Sequence, residues 1–250
     1  GTIFHRTRLP LQDWFRAMWW MTDQKHRLSA LGLQKLLGLG SYRTAWSWLQ
    51  KLRRAMVLPG QDRLAGQVEI DETYVGSVEA RGGRRQLGSK VLVAIAAQID
   101  GKGIGRIHLR RIPAASASPR VAFVKHAVEP GSVVITDEWE AYVGLTQEGF
   151  KHRPRVINAS SKTASGLLPR VHRVASLLKR WLLGIHQGAV SREQLDSYLD
   201  EFTFRFNRQT SRYRGKLFFR LVAQAVAVEP APYCRLAADN NHIIGMGNWS

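Results

Sequence analysis

The 250-residue sequence predicts an α/β protein in which a small all-helical region precedes a mixed sheet with flanking helices. Three observations carry this. Residues 1–60 place apolar side chains at helical spacing, residues 67–136 hold β-branched runs bounded by glycine-containing turns, and residues 169–207 return to helical spacing.

In the first region Leu11, Trp14, Phe15, Met18 and Trp19 fall on one helical face. Ser29 is placed to cap a second helix carrying Leu33, Leu36 and Leu37, which stops at Gly38 and Gly40. A third helix starts at Ser41, with Ala45, Trp48, Leu49, Leu52 and Met56 on one side and Arg43, Ser47, Gln50 and Arg54 on the other. A short helix, a glycine turn and a helix with a polar, basic face resemble a helix-turn-helix. Arg43, Ser47, Gln50 and Arg54 are therefore DNA-binding candidates, since Arg and Gln reach base edges in a major groove. The alternative is a plain helical bundle with a basic exterior.

Pro59 and Gly60 open a linker that ends at Gly66. Residues 67–76 then alternate as a strand, residues 81–85 read as a hairpin loop, and residues 91–99 read as a buried strand. Asp100 and Gly101 turn the chain into a third strand, 103–109. A helix over 119–128, a short strand over 133–136 and a strand over 150–158 follow, then helices over 169–185 and 191–207, the last capped by Ser191. Three strands in a meander, a crossover helix and a fourth strand laid parallel to the first make the element order of the RNase H-like fold. The expected domains are a helical DNA-binding region, 1–60, an RNase H-like domain, 67–225, and a tail, 226–250.

Composition narrows the partners. The net charge is +18 and the pI about 10.9, so polyanions bind through phosphate contacts and counterion release. A solvated basic surface, as on a ribosome-associated protein, is the rival reading. Apolar residues at 44% exclude a disordered chain, and no apolar run is long enough for a membrane span or a secretory signal. One cysteine, Cys234, excludes an intrachain disulfide framework and a multi-cysteine zinc site, and points to a reducing cytosol.

The chemistry candidates are few. Asp71 lies inside the strand Val68-Glu69-Ile70-Asp71-Glu72-Thr73-Tyr74-Val75-Gly76, where a carboxylate needs a partner or a metal. Asp137 ends the strand 133–136, at the carboxyl edge where α/β proteins place ligands. If the two strands are neighbours, their carboxylates converge and repel unless a divalent cation lies between them. Glu69 and Glu72 are second choices: Glu72 points to the other sheet face, and Glu69 shares the Asp71 face but sits about 7 Å away. In the helix that follows, Val171, Val174, Ala175, Leu178 and Leu182 share the packing face. His172 and Lys179, seven residues apart, border it, while Arg173 and Arg180 lie further round toward solvent or DNA. A half-buried helix histidine and a solvated lysine are the plainer readings of His172 and Lys179.

The strand motif at 68–76, Thr136-Asp137-Glu138-Trp139, Ser176-Leu177-Leu178-Lys179-Arg180 and the stretch 198–208 together resemble the ISXO-two-like group of bacterial insertion-sequence transposases. The resemblance spans roughly residues 1–225. It implies a DDE-type transposase with an RNase H-like core and a divalent metal, Mg²⁺ or Mn²⁺. The first acid of that family matches Asp71, the second Asp137, and its lysine Lys179. The third metal position falls on His172, 35 residues after Asp137, where many members carry Glu or Asn. The implied reaction is metal-dependent cleavage at element ends and transfer of the 3′-hydroxyl into target DNA. The implied partners are terminal-repeat and target DNA and further copies of the chain, in a cytoplasmic, nucleoid-associated setting without membrane. The alternatives are a decayed transposase kept as a DNA-binding protein, and an RNase H-like nuclease without strand transfer. Family members usually carry a four-cysteine zinc ribbon ahead of the segment that begins here at Gly1, so a truncated chain is expected.

Overall fold

The periodicities become seven helices and seven strands among the described residues of the computed structural model, which describes all residues except 24–27, 58–62, 77–78, 82–83, 87–89, 138–141, 143, 156–165, 187–194, 212, 232–235 and 237–250. The chain divides into two compact units, 1–59 with 191–250, and 60–190.

The first unit is helical: α1 (Leu11–Asp23), α2 (Ala30–Leu37), α3 (Tyr42–Arg54), α6 (Leu195–Phe206) and α7 (Arg214–Ala227). The Ser29 hydroxyl accepts the Gly32 N–H at 2.9 Å and so starts α2. Gly38 ends it with φ 63°, a left-handed cap at which the Leu39 N–H reaches the Gln34 carbonyl at 2.9 Å. Trp14 and Trp48 stack at 3.9 Å in a core that also takes Met18, Leu33, Leu49 and Leu52, and Phe204, Leu221 and Ala225 from the two last helices. Sequence order assigned residues up to 225 to the sheet domain, but these apolar faces close the core of the N-terminal helices instead. Helix α7 itself was not anticipated; its start and cap positions lack the polar signals that mark α2. The cap expected at Ser191 lies outside the described residues.

Arg53 of α3 and Glu201 of α6 form a buried ion pair at 2.9 Å, and Arg205 adds a second at 2.9 Å. Burial alone would raise the Glu201 carboxyl, yet the two guanidinium groups outweigh it and hold the carboxyl below its ordinary range.

The second unit is a five-stranded sheet built from β1 (Gln67–Val75), β4 (Val91–Asp100), β5 (Gly103–Arg111), β6 (Val133–Thr136) and β7 (Lys151–Pro154), with a separate hairpin of β2 (Glu79–Arg81) and β3 (Arg84–Gln86). Strand order is β5-β4-β1-β6-β7. The first three pair antiparallel, and β6 and β7 run parallel to β1. This is the RNase H-like sheet, with helix α4 (Ala117–Ala127) as the crossover into β6. The strand expected over 150–158 is realised as β7; residues 156–158 lie outside the described set. The linker glycine, Gly60, and the turn at 82–83 do so too.

Alternation along β1 decides which groups meet. Val68 and Ile70 join Leu92, Ala94, Ala96, Phe123 and Val124 in the core beneath α4. Glu69 and Asp71 therefore face the opposite side, which is covered by α5 (Pro169–His186). The packing stripe of α5 is as expected: Val171, Val174, Ala175, Leu178 and Leu182 are all buried.

Candidate active site

The acids sit where strand pairing puts them. β1 and β6 are parallel neighbours with Glu69 opposite Ile135. Continuing that register by two residues brings Asp71 level with Asp137, one strand spacing away (about 4.8 Å) and on the same face. Asp137 follows the last residue of β6 and is exposed.

Helix α5 brings His172 to this edge. Its start is held by Glu69, whose side chain is fully buried. One Glu69 oxygen accepts the backbone N–H groups of Arg170 and Val171 at 2.8 and 3.3 Å, and the other meets the Arg170 guanidinium at 3.1 Å. A carboxylate at a helix N-terminus satisfies open donors and opposes the positive end of the helix dipole. Arg170 also donates to the Gly101 and Gly103 carbonyls at 2.9 and 2.8 Å, locking α5 to the turn between β4 and β5. With its first turn fixed, α5 places His172 Nε2 at 3.9 Å from Asp71 Oδ2.

Asp71 is under electrostatic stress. Burial is the main cause that pushes its carboxyl up to about 6; the neighbouring charges of Asp137 and Glu72 push the same way, while the Glu72 N–H bond to Oδ1 at 2.7 Å and His172 oppose them. A divalent cation relieves the repulsion between the two aspartates. Mg²⁺ is commonly held by one or two carboxylates with water completing its shell, so a two-aspartate edge fits such an ion. Among the described residues no three His, Cys, Asp or Glu side chains gather as a complete metal cage.

Glu72 points away, as the alternation requires, into a polar cluster. Its Oε2 meets Arg120 of α4 at 2.7 Å and its Oε1 accepts the Tyr142 hydroxyl at 2.8 Å. Burial first, and Glu72 next, push the Tyr142 phenol well above its ordinary value, so it remains a donor. The partners lie 48 and 70 residues from Glu72, and no local spacing signals them.

Lys179 lies two turns beyond His172 on α5 and is exposed, as are Arg173 and Arg180. On α3, Arg43 is exposed, Ser47 is half-buried with its hydroxyl donating to the Thr44 carbonyl at 3.0 Å, and Arg54 is half-buried. Gln50 corrects the expected outward face: it is 6% exposed. Helix α3 packs against both α2 and α6, so its buried arc is wider than a single-sided stripe and takes in Gln50 and Arg53.

Residues 63–207 match the ISXO2-like transposase domain. The chain belongs to this family. The matched span contains Asp71, Asp137, His172 and Lys179, so the transposase domain includes both strands and the helix that build the site. No curated protein matches this transposase-family chain. Among solved structures, the catalytic core domain of BIV integrase is 13% identical, over 64% of this chain and 97% of that one, with a TM-score of 0.38. The Mos1 transposase paired-end complex with left transposon end is 13% identical over 88% of this chain and 80% of that one, with a TM-score of 0.33. No helix among the described residues of this transposase is long and apolar enough to cross a membrane.

Proposed function

We propose that this chain is an active DNA transposase that cuts DNA at the ends of an insertion sequence and joins the freed 3′-hydroxyl to target DNA. The observation that carries this reading is Asp71 and Asp137 level at the carboxyl edge of parallel neighbours, with His172 Nε2 3.9 Å from Asp71 Oδ2. Asp71 and Asp137 hold the divalent cation, Mg²⁺ or Mn²⁺, with His172 as a third, neutral donor. When bound, such ions supply charge neutralisation at the attacking and leaving oxygens of an in-line displacement and a more acidic water. Lys179 presents a point charge to a phosphate oxygen. Arg173 and Arg180, exposed on the same helix, bind flanking phosphates, and Arg43 contributes to reading the terminal repeats. Several copies bridge the two element ends.

A plasmid carrying the DNA that flanks the coding sequence tests this reading. Cation-dependent cuts at the ends, and joining of a pre-cut end into a second plasmid, support it. Cutting without joining makes the protein a nuclease. Binding without cutting, in Mg²⁺ and in Mn²⁺, makes it a decayed transposase.

Two variants refine the assignment. With two aspartates and a neutral imidazole, cutting is expected to be faster in Mn²⁺ than in Mg²⁺, because Mn²⁺ accepts nitrogen ligands more readily. His172→Ala is expected to lose most cutting and His172→Glu to keep it in Mg²⁺; normal cutting by His172→Ala in both ions removes His172 from the site. Arg43→Ala is expected to lower the preference for element ends over random DNA by about 1–3 kcal/mol, if Arg43 reads a base. An unchanged ratio in competition binding leaves α3 a structural helix.

A further inference from the structure

We infer that Glu72, Arg120 and Tyr142 form a positioning clamp that fixes the second acid, Asp137, relative to the first, Asp71. The inference rests on the proposed function, in which the two aspartates share a cation. Glu72 is tied to both acids at once. Its backbone N–H donates to Asp71 Oδ1 at 2.7 Å, which sets the orientation of the first carboxylate. Its side chain, on the other face of β1, accepts the hydroxyl of Tyr142 at 2.8 Å, five residues beyond Asp137.

The anchor is built to hold. Tyr142 is 2% exposed and its ring packs into the core under α4. Arg120 meets the other Glu72 oxygen at 2.7 Å, and its guanidinium lies 5.5 Å from the Tyr142 ring centre. Both bonds to Glu72 involve an ionised group in a largely dry setting, where such bonds are short and strong. Asp137 is thus held from two sides: by Thr136, the last residue of β6, and by Tyr142 on Glu72. Asp137 itself is exposed, so packing does not fix its carboxylate. A metal pair of aspartates tolerates little displacement, and groups behind the ligands commonly set affinity by restricting that displacement.

Tyr142→Phe removes the hydroxyl and keeps the ring and the Arg120–Glu72 pair. Mn²⁺ binding to the full chain, read from the free-ion electron paramagnetic resonance signal, is the deciding measurement, with thermal melting beside it. The expected result is Mn²⁺ affinity weakened by about tenfold or more. A purely structural role lowers the melting temperature and leaves that affinity unchanged. Glu72→Gln, which keeps shape and an acceptor oxygen but loses charge, is expected to weaken Mn²⁺ binding as well, and decides the matter if Tyr142→Phe does not fold. Asp71→Asn separates the two levels. If it binds Mn²⁺ like the unaltered protein, the metal reading of the site fails, and the clamp with it. If it loses binding while Tyr142→Phe and Glu72→Gln retain it, the clamp alone is overturned.

Discussion

Asp71→Asn is expected to abolish DNA cutting and, in the same protein, to raise thermal stability above about pH 6. The two effects share one cause. Burial, with Asp137 and Glu72 nearby, lifts the folded-state pKa of Asp71 to about 6 from the ordinary 3.8. A carboxyl with a raised folded pKa binds its proton more tightly in the folded chain than in the unfolded one. Below about pH 4 both states are protonated, and the group contributes no penalty. As pH rises from there the unfolded chain ionises first, so stability falls, and the full penalty is present once the pH exceeds the folded value of about 6. Two pH units correspond to at most about 3 kcal/mol, and relaxation and residual hydration bring the expected gain nearer 1–2 kcal/mol. Asparagine carries no charge, yet still offers Oδ1 to the Glu72 N–H. Melting curves in EDTA from pH 4 to 8 should therefore converge at low pH and separate by several degrees at pH 7, with the variant higher. Mn²⁺ should raise the melting temperature of the unaltered protein and leave that of the variant in place. A constant difference across the whole pH range, or cutting by the variant, contradicts the assignment of Asp71 as a strained metal ligand.

Glu69→Ala is expected to cost about 3–5 kcal/mol of stability, the range for stripping one partner from a buried ion pair. The Glu69 carboxylate lies at 0% exposure and answers three donors of Arg170 and Val171, with the Arg155 guanidinium a further 3.9 Å contact. Its removal leaves the Arg170 charge without its anion and the first N–H groups of α5 without an acceptor. Glu69→Gln, which still accepts, should lose less. Urea unfolding of both variants measures this directly, and a loss below about 1 kcal/mol for the alanine variant means that α5 is seated by its apolar stripe alone. Because α5 carries His172, the gentler variant should also slow cutting more than its stability change accounts for.

Residues whose role depends on local periodicity were legible before any coordinates. The two-residue alternation of β1 separates Asp71 from Glu72, the helical repeat of α5 separates Val171 and Leu178 from His172 and Lys179, and Ser29 and Gly38 bound α2 through bonds that span only a few residues. Such features follow from backbone geometry, which neighbours in sequence determine. The carboxyl edge of the sheet was legible too, since a crossover helix allows β6 to lie parallel to β1 in few ways.

What the sequence could not determine was every pairing that depends on which surfaces meet. Glu69 looked like a spare acid; only the docking of α5, 101 residues later in the chain, makes it the seat of that helix. Glu72 looked like an outward acid, and the arrival of α4 and Tyr142 makes it part of a buried cluster. Gln50 looked like an exposed reader of bases until packing on two sides of α3 enclosed it. Residues 195–227 looked like the end of the sheet domain and instead complete the core of the N-terminal helices. The physical reason is the same in each case. Periodicity tells a segment which face to bury, but burial is satisfied by any complementary apolar surface, and the choice among surfaces is made by the whole chain.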